Sequence, residues 1–134
     1  MSNQEHEKTK VSQSILLVCD KKVLILKHKS GKWLLPGGRL NVQEYWKDGL
    51  LREVKEETGI GEIEIVGVLE VDNWEHKGEP HYGVFLHGIP STDEVTLSGE
   101  HSDFAWVSKE DIQNYDFWNE SLQDRVIRFV QKVL

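Results

Sequence analysis

Three observations in the sequence predict an α/β sandwich, with a mixed β-sheet covered by helices on both faces. Short β-branched apolar runs come first, a proline-free stretch of helical period sits in the middle, and more strands then lead to a terminal amphipathic helix. With 134 residues, 38% of them hydrophobic, the chain is long enough for one core and short for two. The expected layout is a flexible start over residues 1–10 and a single domain over 11–134.

Val11 to Val18 and Val23 to Leu26 read as two strands joined by a tight turn at Asp20-Lys21-Lys22. After charged residues and Gly31 come Trp33-Leu34-Leu35 and the breaker Pro36-Gly37-Gly38, where a loop is expected to begin. From about Glu44 to Thr58, Leu50 and Val54 recur at helical spacing with Leu51 beside them, and Gly59 supplies a stop. Ile63 and Ile65, then Val68 and Val71 after a phase shift at Gly67, make β-rich runs, and His81 to Ile89 reads as another strand. Phe104 to Val107 is a short strand. Ser108, with Asp111 three residues on, is expected to start a helix. The last helix lines up Leu122, Val126, Phe129, Val130 and Val133.

Composition excludes several classes. A net charge of −7 leaves no basic face for a nucleic-acid polymer. No stretch approaches a membrane span, and the single cysteine, Cys19, cannot build a disulfide framework and reads as a small buried hydrophobe. A cytoplasmic protein is expected, and an apolar strand or the terminal helix could equally serve a homodimer.

The chemistry concentrates between Gly38 and Ile60. On the helix Glu53, Glu56 and Glu57 stand at i, i+3 and i+4, so three carboxylates project as neighbours and repel one another. Taken alone, this is also what a solvated charged face looks like. A hard divalent cation, which prefers oxygen ligands, would offset that repulsion. Arg52, four residues before Glu56, can steady a carboxylate through a bidentate contact.

The whole segment carries more than its glutamates. Gly38, Glu44, Arg52, Glu53, Val54, Glu56, Glu57, Gly59 and Ile60 match the pattern G-x5-E-x7-R-E-U-x-E-E-x-G-U, U aliphatic, at every defined position. At ordinary residue frequencies such a match arises by chance on the order of one time in a million or less. The segment resembles the signature of the Nudix hydrolases, and covers 23 residues, about a sixth of the chain.

The resemblance implies a loop-helix-loop in which Glu53, Glu56 and Glu57 hold Mg²⁺ or Mn²⁺ against a substrate pyrophosphate. It implies that Gly38 lets its backbone approach the metal. Glu44 would sit at the helix start and bond the loop or Arg52, and Gly59 would close the box. Asn41 and Gly49 depart from the glutamate and alanine common there. A loop carboxylate after the box often joins the site, and Glu100, in Gly99-Glu100-His101, is the candidate, with Asp103 and Glu94 as competitors. Glu100 or Glu53 would accept the proton of the attacking water. Arg39, Lys27 and Lys29 border the loop as candidate phosphate contacts.

The box leaves the substrate unread. The proline and tyrosine that mark ADP-ribose and diadenosine-polyphosphate enzymes are missing from Val71 to Lys77; Pro80 and Tyr82 come later. This points to a small-molecule nucleotide substrate, a nucleoside triphosphate or modified dNTP. A nucleotide-sugar hydrolase is the alternative within the class, and a non-catalytic ligand-binding module the alternative outside it.

Overall fold

The first strand organises the sheet. In a computed structural model that describes residues 4–134, β1 (Lys10–Cys19) starts one residue ahead of the expected domain boundary; Met1 to Asn3 lie outside the described residues. β1 runs parallel to β6 (Glu79–Pro90) from Lys10 opposite His81 to Leu17 opposite Gly88. Its last two residues pair antiparallel with β2 (Lys22–His28). The sheet path is β3-β2-β1-β6-β5, with β3 at Trp33–Leu34 and β5 at Ile63–His76, while β7 (His101–Ser108) lies along β2. The β1–β2 turn is tighter than expected: Asp20 and Lys21 take φ of 50° and 60°, the two-residue geometry that matches strand twist, and Lys22 already belongs to β2.

The loop expected from Pro36 instead contributes β4 (Gly37–Arg39), antiparallel to β1. Ile15 N–H donates to Pro36 O and Leu40 N–H to Val11 O, so β1 recruits backbone that turn residues alone would leave free. Helix α1 spans Trp46–Thr58, two residues shorter than expected, because Tyr45 is extended and Glu44 is used outside the helix. Gly59 caps it in the left-handed conformation at φ 76°.

The expected phase shift at Gly67 is a bulge between Ile65 and Gly67, and a second bulge follows between Val68 and Glu70. The second turns Glu70 and Asp72 towards helix α2 (Glu120–Val133), where both meet Arg125. Ser108 ends β7 and does not start a helix. Only a 3₁₀ turn forms at Ile112–Asn114, because the chain beyond it is captured by β3: Trp33 N–H donates to Asp116 O and Trp118 N–H to Trp33 O.

Strand alternation divides the core in two. Ile15, Leu17, Leu24, Leu26 and Leu86 face α1, meeting Leu50 and Val54. Leu16, Val23, Ile25 and Phe85 face the other way, onto Val126, Phe129 and Val130 of α2. Cys19, expected in the core, is only half-buried at the end of β1. Among the described residues no helix is long and apolar enough to cross a membrane.

Candidate active site

Helix α1 packs Leu50 and Val54 on the sheet, and Glu57, seven residues after Leu50, falls on the same stripe. Its side chain is therefore taken out of water; the residue is 5% exposed. Burial pushes the Glu57 pKa up to about 8, the Gly37 N–H opposes the rise, and the charges of Glu53, Glu100 and Glu56 add to it. That N–H lies 3.5 Å from Glu57 Oε2.

Glu53 lies against the backbone of β4. A Cβ at position 38 would stand 2.5 Å from Glu53 Cδ, so only glycine admits the carboxylate there. Arg52 fastens the other side. Its Nε donates to Glu44 Oε2 at 2.9 Å, its Nη2 to Glu44 Oε1 at 3.0 Å and its Nη1 to Glu53 Oε1 at 2.9 Å. Glu56 Oε2 is 3.5 Å from the same Nη1. Glu44 also accepts from Asn41 N–H, as expected of a residue tying the loop to the helix. The Arg52 hydrogen bonds, helped by that N–H, hold the Glu44 carboxyl at about 2.

Of the residues expected in the site, Gly38, Arg52, Glu53, Glu56 and Glu57 are thus brought together by α1 and β4. Glu100 is exposed on the loop before β7 and close enough for its charge to act on Glu57. Asp103, its competitor, lies within β7 opposite Lys27 and accepts from the Phe104 N–H beside it. Lys27 lies over the Trp33 ring at 5.8 Å, and Lys29 is exposed in the turn after β2. Arg39 is exposed at the end of β4, beside Gly38.

The donors are hard oxygens crowded where like charges oppose one another, which is the chemistry of a divalent-cation site. Among the described residues no three such groups converge as a preformed ligand set, Glu53 being turned to Arg52 and Glu57 to Gly37.

Two features were not anticipated. His101, next to Glu100, is 9% exposed with Nδ1 unpartnered, its ring 6.5 Å from that of His28. Burial holds its pKa below the usual histidine value. Beyond Arg39, on the α2 side of the sheet, lies a cleft of about 680 Å³ walled in part by Trp74, His81 and Trp118. The alternation that sends Phe85 to the α2 side also sends His81 there, so strand parity alone could have found it.

A family model described as the NUDIX domain matches residues 8–128. The chain belongs to the Nudix hydrolase family. A nucleoside triphosphatase NudI from Klebsiella pneumoniae is 27% identical over 100 residues, covering 64% of this chain and 68% of that protein. The crystal structure of a MutT protein from Methanosarcina mazei Go1 superposes with a TM-score of 0.79 at 29% identity, over 96% of this chain and 98% of that one. An ADP-ribose pyrophosphatase from Streptococcus suis shares the fold, with a TM-score of 0.74 at 21% identity over 93% and 91% of the two chains. Within the Nudix box the glycine at 49 gains a reason: a Cβ there would stand 2.6 Å from Glu44 Oε1 and 2.8 Å from Leu40 Cδ1. Its absence lets Glu44 close over the helix towards Arg52.

Proposed function

We propose that this Nudix hydrolase cleaves the phosphoanhydride bond of a nucleoside triphosphate or modified deoxynucleoside triphosphate, with Mg²⁺ or Mn²⁺ as cofactor. The observation that carries this is a buried Glu57 that feels the charges of Glu53, Glu100 and Glu56, with Glu53 lying against the Gly38 backbone. The relatives named nucleoside triphosphatase NudI support the choice of substrate.

Glu53, Glu56 and Glu57 would hold the metal, which when bound supplies the positive charge that an acidic chain lacks and the diphosphate needs. To serve as one of those ligands, Glu57 would have to give up the proton that burial favours. Arg52 keeps Glu53 and Glu44 in place, and Arg39, exposed beside Gly38, meets substrate phosphate. Glu100, free of Arg52, takes the proton of the attacking water as its oxygen bonds to phosphorus and the bridging P–O bond breaks.

The test is product release in Mg²⁺, comparing nucleoside triphosphates, nucleotide sugars and ADP-ribose. Pyrophosphate from one or more triphosphates is expected, with Glu57→Gln lowering turnover at least a hundredfold while the fold survives. Undiminished activity in that variant overturns the assignment of the box. Monophosphate released only from sugars or ADP-ribose overturns the substrate, and no release from any compound favours a binding module.

A further inference from the structure

Helix α1 covers the middle of the sheet and leaves the outer strands of its own side bare. Leu86 packs in the cluster under α1 and Val84 joins it, so Tyr82, two residues further along β6, shares that face. Val68 pairs with Leu86 and Val71 with Val84, which puts both valines on the same face. Val68, Val71 and Tyr82 are nonetheless 57%, 46% and 42% exposed. On the neighbouring strand Gln13 lies opposite Val84 and donates from Nε2 to Trp46 O at 2.9 Å, which brings the start of α1 alongside. Trp46 is 38% exposed, and Tyr45, its ring 5.9 Å away, is 61% exposed.

These five side chains present on the order of 500 Å² of neighbouring apolar surface, at the upper end of what a monomer leaves to water. None of them is charged, in a chain where 29% of residues are. The second bulge of β5 accounts for this, since it sends Glu70 and Asp72 to Arg125 on the α2 side. Glu64, between Ile63 and Ile65 of the α1-side cluster, points away from that face by strand alternation. Charge returns at the hairpin tip with Glu75, Lys77 and Glu79, which gives the patch a polar rim.

Charge and area together select what covers this face. At a net charge of −7 two copies of the chain repel one another, and they meet without opposing like charges where both are neutral. A basic partner would find no counter-charge here. One patch laid on its own copy buries about 1,000 Å² in total, the lower bound for a specific interface. The terminal helix does not compete, because Val126, Phe129 and Val130 are spent on the core.

We propose that the α1-side face of the β5–β6 hairpin is the interface of a homodimer. Two chains related by a two-fold axis pack Val68, Val71 and Tyr82, with Tyr45 and Trp46, against the same residues of the other copy, and the assembly closes at two. The proposal does not rest on the catalytic reading, and none of its tests depends on turnover.

Sedimentation velocity on the full chain, from about 1 µM to about 1 mM, is expected to show a reversible step from 15.5 kDa to twice that mass. Val71→Glu and Tyr82→Glu each set like charges into the apolar face of both copies. Each should raise the dimer dissociation constant tenfold or more while circular dichroism shows an unchanged fold. Ile89 is exposed to a similar degree, but Gly88 faces Ile15 and Ile63, so Ile89 lies on the opposite face of β6. Ile89→Glu should leave the dissociation constant as it is. Added salt should tighten the dimer, because it screens the repulsion between two acidic chains whose contact holds no ion pairs.

A monomer at every concentration overturns the proposal, as does a dimer that survives both Val71→Glu and Tyr82→Glu in folded protein. Equal loss of the dimer in Ile89→Glu overturns it too, and so does a dimer that dissociates as salt is raised, which would mark an ion-paired interface elsewhere.

Discussion

The Glu53 carboxylate occupies the space that a side chain at Gly38 would need, 2.5 Å from the missing Cβ. Gly38→Ala must therefore push Glu53 off the β4 backbone and strain its contact with Arg52. Since neither residue belongs to the apolar core, thermal stability should change by less than about 1 kcal/mol. Turnover should fall tenfold or more. Steady-state kinetics beside a melting curve separates the two, and full activity would show that the close approach is dispensable.

Glu57 makes the metal-free protein sensitive to alkali. The folded chain holds this proton up to about pH 8, whereas an unfolded chain releases it near the ordinary value of 4.5. Its contribution is therefore complete below pH 4.5, declines as pH rises through the window to about 8, and is constant beyond. At about 1.4 kcal/mol per pH unit, the whole effect across that window is on the order of 5 kcal/mol. Glu57→Gln should melt higher than wild type at pH 9 in chelator, with the difference shrinking towards pH 5. Equal melting temperatures at pH 9 would rule out a desolvated carboxylate. In the wild type, Mg²⁺ binding should release a proton at pH 7 and strengthen between pH 6 and 8.

Arg52 joins Glu44 and Glu53 through separate nitrogens, which a lysine ammonium cannot reproduce. Arg52→Lys, despite keeping the charge, should lower kcat tenfold or more. The Glu44 carboxyl, held at about 2 by this fork, should titrate nearer the usual range in the variant. The carboxylate contact is present above the ordinary pKa and lost as pH falls, so the variant should lose structure at a higher pH during acid titration. An unchanged acid midpoint counts against the fork.

Arg125 is 9% exposed, sits 4.7 Å over the Phe85 ring, and bonds Glu70 and Asp72 across the second bulge of β5. Arg125→Ala removes both packing and the charge partner. It should cost about 2–3 kcal/mol, lowering Tm by roughly 5–10 °C. Arg125→Met keeps the stem over Phe85, and Glu70 retains Arg128 at 3.0 Å, so it should cost less. A larger loss for Met than for Ala would contradict this account.

The candidate site was legible because binding a hard cation would ask for carboxylates at fixed helical spacing, and Gly38, Glu44 and Arg52 to Glu57 offer that pattern within a short stretch. The α1 and α2 layers were legible for a related reason: Leu50 and Val54, or Val126, Phe129 and Val130, carry their periodicity locally. What escaped depends on distant partners. Gly37 to Arg39 form a strand only because β1 is there to pair with them, and the chain after Ser108 makes just a 3₁₀ turn because Trp33 takes its hydrogen bonds. The second bulge in β5 is written in no dipeptide; it follows from pairing with β6 and from Arg125. Trp74 and His81 meet only across that hairpin.

The parallel pairing of β1 with β6 sets the order in which the chain can fold. During synthesis β1 can close only its short contact with β2 and the β4 ladder until residues 81–88 emerge, and β2 then waits for residues 101–108. The N-terminal third therefore has no stable form of its own on the ribosome, with Ile15, Leu16 and Leu17 exposed until the β5–β6 hairpin arrives. That hairpin, joined by a tight two-residue turn at Lys77 and Gly78, is local in sequence and able to form first. It is the template onto which the start of the protein must dock, so slowing its formation should prolong the interval in which the chain is prone to aggregate.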